Sequence, residues 1–424
     1  MVQPLRCLIL SYFTKIDGMA CAQHIDDRIP YLVEAGIEPV MLSGVCGGDW
    51  RGMTHVKAFS LAPSGIRFEL RHLRKLGGMV RLVAVLLNLL ILPLYLLEKL
   101  LIDLDSQWSW FPVATLKGYR ICNRHQPKVI YSTGGPASTH LAAALIASRY
   151  RIPWVAEFQD PLVHDDWLRS KRALKVYTWL ERFICSRADA VIFLTDRARK
   201  NANSRTNLGE RGHVIYPGAD PGTMPQIDYE RGSCFRIAHF GSLGGSRNLK
   251  VFLEALQQLL AERPEMAAFI RLDLYGSCDP LSRQAINAFP LPDIIHDYGR
   301  VPRSESLVAM KRCDLLLLVQ NTEKFSSETI PSKTYEYLHT GRPILGLVYH
   351  NPELEQMLMS LGHTAVAADS TPAVKQAIFA LCSNWNKVGQ SCQSQSSPFT
   401  VESAANHLLT VVAASGEILS GDKT

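Results

Sequence analysis

The sequence predicts an α/β protein of two doubly wound, Rossmann-like domains facing a cleft. Three observations predict it. Short apolar runs alternate with helical stretches through both halves of the chain, the pattern of βαβ units on a mostly parallel sheet. A Pro/Gly-rich stretch at 214–222 interrupts the alternation and reads as a linker. The 424 residues exceed one ordinary core and favour two domains of roughly 200 residues each.

In chain order, residues 5–12 read as a strand, 15–19 as a Gly-containing loop, 20–34 as an amphipathic helix closing at Gly36, and 39–43 as the next strand. Strands are predicted at 128–132, 153–157 and 190–194, with a helix over 139–148. The pattern restarts with strands at 235–240, 272–276, 314–319 and 344–348 and a helix over 248–260. A polar break at 393–397 precedes a last helix over 401–413. The expected domains are therefore 1–217 and 218–398, with a C-terminal helix and tail over 399–424. In such sheets ligands bind beyond the carboxyl ends of the strands.

Composition narrows the classes. An apolar fraction of 47%, a charged fraction of 20% and a net charge of +6 are those of a globular protein. No basic stripe interleaved with aromatics is present, so nucleic acid is not an expected partner. The ten cysteines include no C-x-x-C pair, which indicates neither a zinc site nor a dithiol centre and fits a reducing, cytoplasmic compartment. The apolar run at 5–10 is too short for a secretion signal. H-E-x-x-H and G-x-S-x-G are absent.

Residues 82–97 carry no charge. As a helix they would span about 24 Å, short of the roughly 30 Å hydrocarbon core. Arg67, Arg71, Arg74, Lys75 and Arg81 lead into them. This reads as a segment, about 79–102, attached peripherally to an anionic membrane face; a buried helix and a true span are the alternatives. Trp108 and Trp110 fit either an interface or a core. Asp103-Leu104-Asp105 has the D-x-D form of metal-dependent enzymes but follows the apolar segment rather than a strand, so it reads as a helix end.

Four stretches could carry chemistry. Glu328 and Glu336 are separated by seven residues, around Pro331-Ser332-Lys333 and ahead of Gly341-Arg342-Pro343 and an apolar run. Pro331 suits a first helical turn and Gly341 a helix end. A helix start favours an anion, and carboxylates accept hydrogen bonds from sugar hydroxyls. The same residues also read as a surface helix with a Lys333–Glu336 pair. Gly241, Gly244 and Gly245 follow a strand and would let backbone N–H groups approach a diphosphate, with Arg247 neutralising it; a plain strand-to-helix turn is the alternative. His140, on a first helical turn, and Asp160, at a strand exit, lie on loops expected at the carboxyl ends of neighbouring strands. They also read as a core histidine and a turn residue. Gly18 lies in the loop after the first strand.

The Glu328–Glu336 segment resembles the donor-binding motif of glycosyltransferase family 4. The stretches 132–140 and 152–161 are similar to the S-T-G-x-P-x-S-x-H and D-F-R-D-P-W segments of a bacterial subgroup that builds surface polysaccharides. Glu157, Gln159 and Leu162 replace the subgroup's Asp, Arg and Trp, and Ser242 stands where family members often carry Arg. The resemblance implies the GT-B architecture, a last helix that crosses back toward the first domain, and transfer with retention from a nucleotide-diphosphate-sugar to a glycan or other acceptor; the basic approach and the apolar segment suggest that the acceptor is lipid-linked and lies at the inner membrane face. The resemblance implies no cofactor and no metal. Arg247, Lys333 and Pro331-Ser332 would face the diphosphate, Glu328 the sugar, Glu336 the ribose, Arg300 and Val301 the base, and Gly18 the transferred sugar, with Asp160 and His140 on the acceptor side. Rival readings are an inactive scaffold, favoured by Ser242, a nucleotide-sugar 2-epimerase-like enzyme, and a glycogen-synthase- or phosphorylase-like enzyme.

Overall fold

The computed structural model describes residues 5–73, 77–164, 170–388 and 396–421. Arg74, Lys75, Cys392 and positions 393–395 of the polar break lie outside the described residues. The chain divides into Met1–Tyr216 with Val401–Thr424 (unit 1) and Pro217–Thr400 (unit 2).

Unit 1 holds seven parallel strands: β1 (Leu5–Ser11), β2 (Ile37–Gly44), β3 (Thr54–Ala58), β4 (Val129–Gly134), β5 (Trp154–Phe158), β6 (Ala190–Phe193) and β7 (Gly212–Val214). Their order is β3-β2-β1-β4-β5-β6-β7. Unit 2 holds six more: β8 (Phe235–Phe240), β9 (Ile270–Tyr275), β10 (Ile295–Gly299), β11 (Leu315–Val319), β12 (Ile344–Val348) and β13 (Thr364–Ala367), ordered β10-β9-β8-β11-β12-β13 and also parallel. Both are doubly wound sheets whose strand order reverses beside the first strand.

The apolar runs of β1, β4, β8 and β11 follow from burial on both faces. Leu8 and Leu10 point into a cluster with Trp110, Ala142 and Ile146. Cys7 and Ile9 point the other way, against Ile25 and Ile29 of the helix Ala20–Glu34 and Ala405 and Leu408 of the C-terminal helix Val401–Gly421.

The apolar segment departs from expectation. It forms two helices, Gly78–Leu90 and Leu92–Leu101, bent by 49°. Pro93 explains the break, since it has no N–H for a carbonyl one turn earlier. The segment is not the buried helix offered as the alternative: Leu86 is 57%, Leu90 74% and Leu100 78% exposed. Its polar residues face the protein instead. Glu98 accepts from Ser64 N and Trp108 Nε1, each at 2.7 Å, and Asn88 is buried, its backbone carbonyl bonded by Arg67. No single described helix is long and apolar enough to cross a membrane, although the bent pair passes that test together. Trp110 is core, its indole N–H bonded to Ala58 O at 2.9 Å.

Under the carboxyl ends of the unit-1 strands lies an ion pair the sequence did not suggest. Arg28 Nη1 meets Glu157 Oε1 at 2.6 Å, both side chains 1% exposed. Tyr131 and Thr133 also donate to Glu157. Removing one partner strands the other charge inside the fold, which costs about 3–5 kcal/mol. Arg28→Met is therefore expected to destabilise unit 1 by about that amount in urea unfolding, and a loss under 1 kcal/mol would show that the pair is dispensable.

Candidate functional site

In unit 2 the loops that follow β8, β9, β10 and β11 gather where the strand order reverses. Lys333 Nζ donates to Phe240 O, the last carbonyl of β8. A Cβ placed on Gly241 would lie 2.7 Å from that Nζ. The ammonium thus occupies space left by a glycine whose φ is +111°, a backbone setting that suits glycine. The side chain is half-buried with its charged end turned inward. Burial, together with the nearby Arg247 guanidinium, pulls its pKa down to about 7. Arg247 itself is pushed down by burial. Lys333, Arg247 and Gly241 therefore share one place.

The glycine loop does not offer its amides as the sequence suggested. Gly241 N donates to Tyr275 O at 2.7 Å, Gly244 N to Arg247 O at 2.8 Å and Gly245 N to Asp279 Oδ2 at 2.9 Å. Internal acceptors take these donors because the loop folds back on itself, so anion binding rests on side chains. Asp279, which the sequence reading missed, fixes this loop and caps the helix Pro280–Asn287 through Ser282 N at 2.7 Å. An Asp just before Pro at a helix start was its signal.

Pro331 and Ser332 sit in the turn leading into the helix Lys333–Leu338, with Thr334 N donating to Pro331 O at 2.8 Å. At six residues this helix carries a smaller dipole than expected. Glu336 does not pair with Lys333; Arg303 takes Glu336 Oε1 through Nε at 2.9 Å and Nη2 at 2.8 Å. Glu328 ends a 3-10 turn and is 8% exposed. Two amides the sequence did not flag clamp its loop: Gln320 Nε2 and Asn351 Nδ2 each donate to Ser326 O and Thr329 O, at 2.6–3.0 Å. Arg300 is exposed and reaches Ser277 Oγ at 3.4 Å, and Ser277 Oγ lies 2.9 Å from Ser242 Oγ. Arg300 and its neighbour Val301 thus stand beside the position where the family's Arg is missing.

In unit 1 the loop after β1 is pinned by Asp26, which accepts from Thr14 Oγ1 and, at 2.6 Å, from Lys15 N. Gly18 is exposed at φ +69° with nothing within 4 Å of a Cβ position. Asp160 lies against Gly135, whose Cβ position is 3.9 Å from Asp160 Oδ2. Its side chain is exposed, yet protein crowds it closely enough to raise its pKa above the ordinary aspartate value.

His140 is not on that surface. It is fully buried, its Nδ1 2.9 Å from Ser132 Oγ, with Phe158 edge-on to the ring at 5.0 Å. Its first-turn position faces the sheet rather than the loop. Among the described residues no cluster of three or more His, Cys, Asp or Glu could hold a metal ion. Asp103 instead accepts from Ser170 N, and Asp105 from Tyr177 Oη.

Residues 31–218 match the family model described as a glycosyl transferase 4-like domain. No curated protein matches the chain. Among solved structures, Anabaena HepE, solved with UDP and with UDP-glucose, is 14% identical with a TM-score of 0.61; in the UDP complex 99% of this chain and 100% of that one are covered. The α,α-trehalose 6-phosphate synthase of Burkholderia multivorans is 12% identical over 99% of each chain, TM-score 0.68. The lipopolysaccharide outer core galactosyltransferase WaaB is 10% identical over 97% and 99%, TM-score 0.61. These likenesses show the fold. Sheets, loops and family match together define a glycosyltransferase of the GT-B fold. The glycosyl transferase 4-like match itself covers residues 31–218 of the chain.

Burial holds the His140 pKa at about 4, below the ordinary 6.5. The unfolded chain therefore binds the extra proton between those values. This histidine's contribution to stability is complete above the ordinary pKa and is lost as pH falls toward 4. His140 ring resonances are expected to show no titration midpoint above about pH 5; a midpoint near 6.5 would place the ring in solvent.

Proposed function

We propose that unit 2 binds a nucleotide-diphosphate-sugar and that the enzyme transfers the sugar, with retention, to a glycan or lipid-linked acceptor in surface-polysaccharide synthesis. Lys333 seated at Gly241, with Arg247 near enough to act on its charge, carries this reading. As the bond to the sugar breaks, charge grows on the leaving diphosphate. Two half-buried cations held in place before the reaction stabilise that charge without reorganising. They supply the positive charge a metal would otherwise bring, so no metal or cofactor is assigned. The clamped Glu328 orients sugar hydroxyls. Glu336, steadied by Arg303, takes the ribose hydroxyls, and Arg300 and Val301 flank the base. Gly18 leaves room beside the sugar, and Asp160 serves the acceptor side. His140 acts from behind, through Ser132. UDP is the first donor to test, because HepE was solved with it.

A panel of nucleotide sugars is expected to include one that raises the melting temperature, by the equivalent of about 2.7 kcal/mol at a hundredfold excess over Kd. Bound phosphate restores the ordinary Lys333 pKa, so binding at pH 8 takes up a proton, detectable by calorimetry in buffers of different ionisation heat. Lys333→Met should abolish that uptake, and Glu336→Ala should weaken binding while circular dichroism stays unchanged. No shift from any nucleotide sugar would overturn the reading.

We further propose that the enzyme is cytoplasmic and rests on the inner membrane face through the bent pair Gly78–Leu90 and Leu92–Leu101. The outward leucines and the exposed Arg71 and Arg81 support this. Replacing Leu86, Leu87, Leu90 and Ile91 with Gln should release the protein from vesicles containing phosphatidylglycerol. Sedimentation unchanged by the replacement would remove the membrane from the proposal.

A further inference from the structure

Unit 1 carries a concavity at the amino ends of its strands, opposite the loops that hold Gly18 and Asp160. The helices Ala137–Tyr150, Lys171–Arg187 and Asp196–Arg205 all end there, beside the starts of β5 and β6. A cavity of about 470 Å³ is lined by Trp179, Arg182, Phe183, Arg187, Arg205 and Asn207. A neighbouring cavity of about 410 Å³ shares Phe183 and Arg187 and extends the groove to Arg151 and Pro153.

The lining is cationic and aromatic. Trp179 is 56% exposed, stacked on Phe183 with centroids 5.3 Å apart and planes 16° from parallel. Arg187 lies over the Phe183 ring at 5.6 Å. Arg205 is held by the buried Glu181 through two contacts of 2.7 and 2.8 Å. Arg182 Nε donates to Arg205 O at 3.3 Å. The acidic side chain in the extended groove, Asp189, accepts from Trp154 N at 2.8 Å. Three helix carboxyl ends favour cations at such a place, which accounts for the arginines. It does not account for an indole left half in water on a stacked partner.

We infer that this groove is a non-catalytic binding site for an anionic glycan chain. The apolar face of a pyranose ring stacks on the Trp179 indole. Guanidinium groups pair with carboxylate or phosphate substituents in a two-pronged geometry, and Asn207 meets hydroxyls. An anchor away from the chemistry raises the local concentration of the chain being extended. The inference rests on the glycan-acceptor reading above.

Isothermal titration of the full chain with hexagalacturonate, against neutral maltohexaose, tests it without donor. Hexagalacturonate is expected to bind at least about tenfold more tightly than maltohexaose. Trp179→Ala keeps every arginine and should weaken that binding about tenfold, as should Arg182→Gln with Arg187→Gln. The donor-induced melting shift should be unchanged in both variants, which separates failure here from failure of the donor reading. No binding of hexagalacturonate overturns the inference. Undiminished binding by Trp179→Ala reduces it to unspecific charge attraction and overturns it too. Tighter binding of an oligonucleotide of equal charge would assign the groove to nucleic acid instead, and displacement of the protein's hexagalacturonate by phosphatidylglycerol vesicles alone would assign it to lipid.

Discussion

Each unit lays its first strand in the middle of its sheet and builds outward in both directions, so two loops part company at β1/β4 and at β8/β11. That reversal creates a crevice beyond the strand ends, and in unit 2 backbone packing sets its shape. A Cβ on Gly276, at φ +144°, would overlap the carbonyl of Gly241. The loops after β8 and β9 therefore touch through bare backbone. Gly241 in turn leaves the volume that the Lys333 ammonium fills. The cations stand where they do because two neighbouring strands end in glycines.

The same constraint explains what was legible. The central strands, buried on both faces, appeared as continuous apolar runs. The strands that went unread, β3, β7, β10 and β13, include all four sheet edges. Edge strands are half-exposed, with burial patterns such as that of Ile295–Gly299, where Asp297 and Tyr298 face water, so neither a solid run nor strict alternation marks them. Glu328, Lys333 and Glu336 were readable because they lie close together in one stretch of chain. Asp279 had a local signal in its Asp-Pro helix start; Gln320, Asn351 and Arg28 had none. Each acts across a distance in sequence, as when Arg28 pairs with Glu157, and no local pattern announces such a contact.

Glu157 shows how a departure from a family pattern is absorbed. The longer carboxylate reaches Arg28, Tyr131 and Thr133 together. Despite its burial, that partnership holds its pKa below the ordinary value, with the Arg28 charge the largest opposing cause. Gln159, standing where the subgroup has Arg, donates to Thr133 Oγ1 at 3.0 Å and to Cys21 O at 3.2 Å. The loop after β5 is thus anchored by a neutral amide and an internal ion pair, which leaves Asp160 as the exposed carboxylate at this strand exit. The surroundings of Asp160 in this chain therefore differ from those that the pattern D-F-R-D-P-W would give.

The bent helices Gly78–Leu90 and Leu92–Leu101 invert the usual rule. In a water-facing helix the leucines turn inward; here Asn88 and Glu98 do. Glu98 is the reason the arrangement holds. Its carboxylate collects Ser64 N, Ser64 Oγ and the Trp108 indole, so turning the helix over would bury leucines only by leaving those donors unmatched. Hydrogen bonds to a charged group contribute about 1.5–3 kcal/mol each, comparable to burying one leucine at about 1.5–3 kcal/mol. Three such bonds offset only about three buried leucines, so they hold the polar face against the protein while the other outward leucines call for an apolar contact of their own. Exposed apolar area of this extent marks a contact surface, and its shape is set by polar contacts on the opposite side of the same helices.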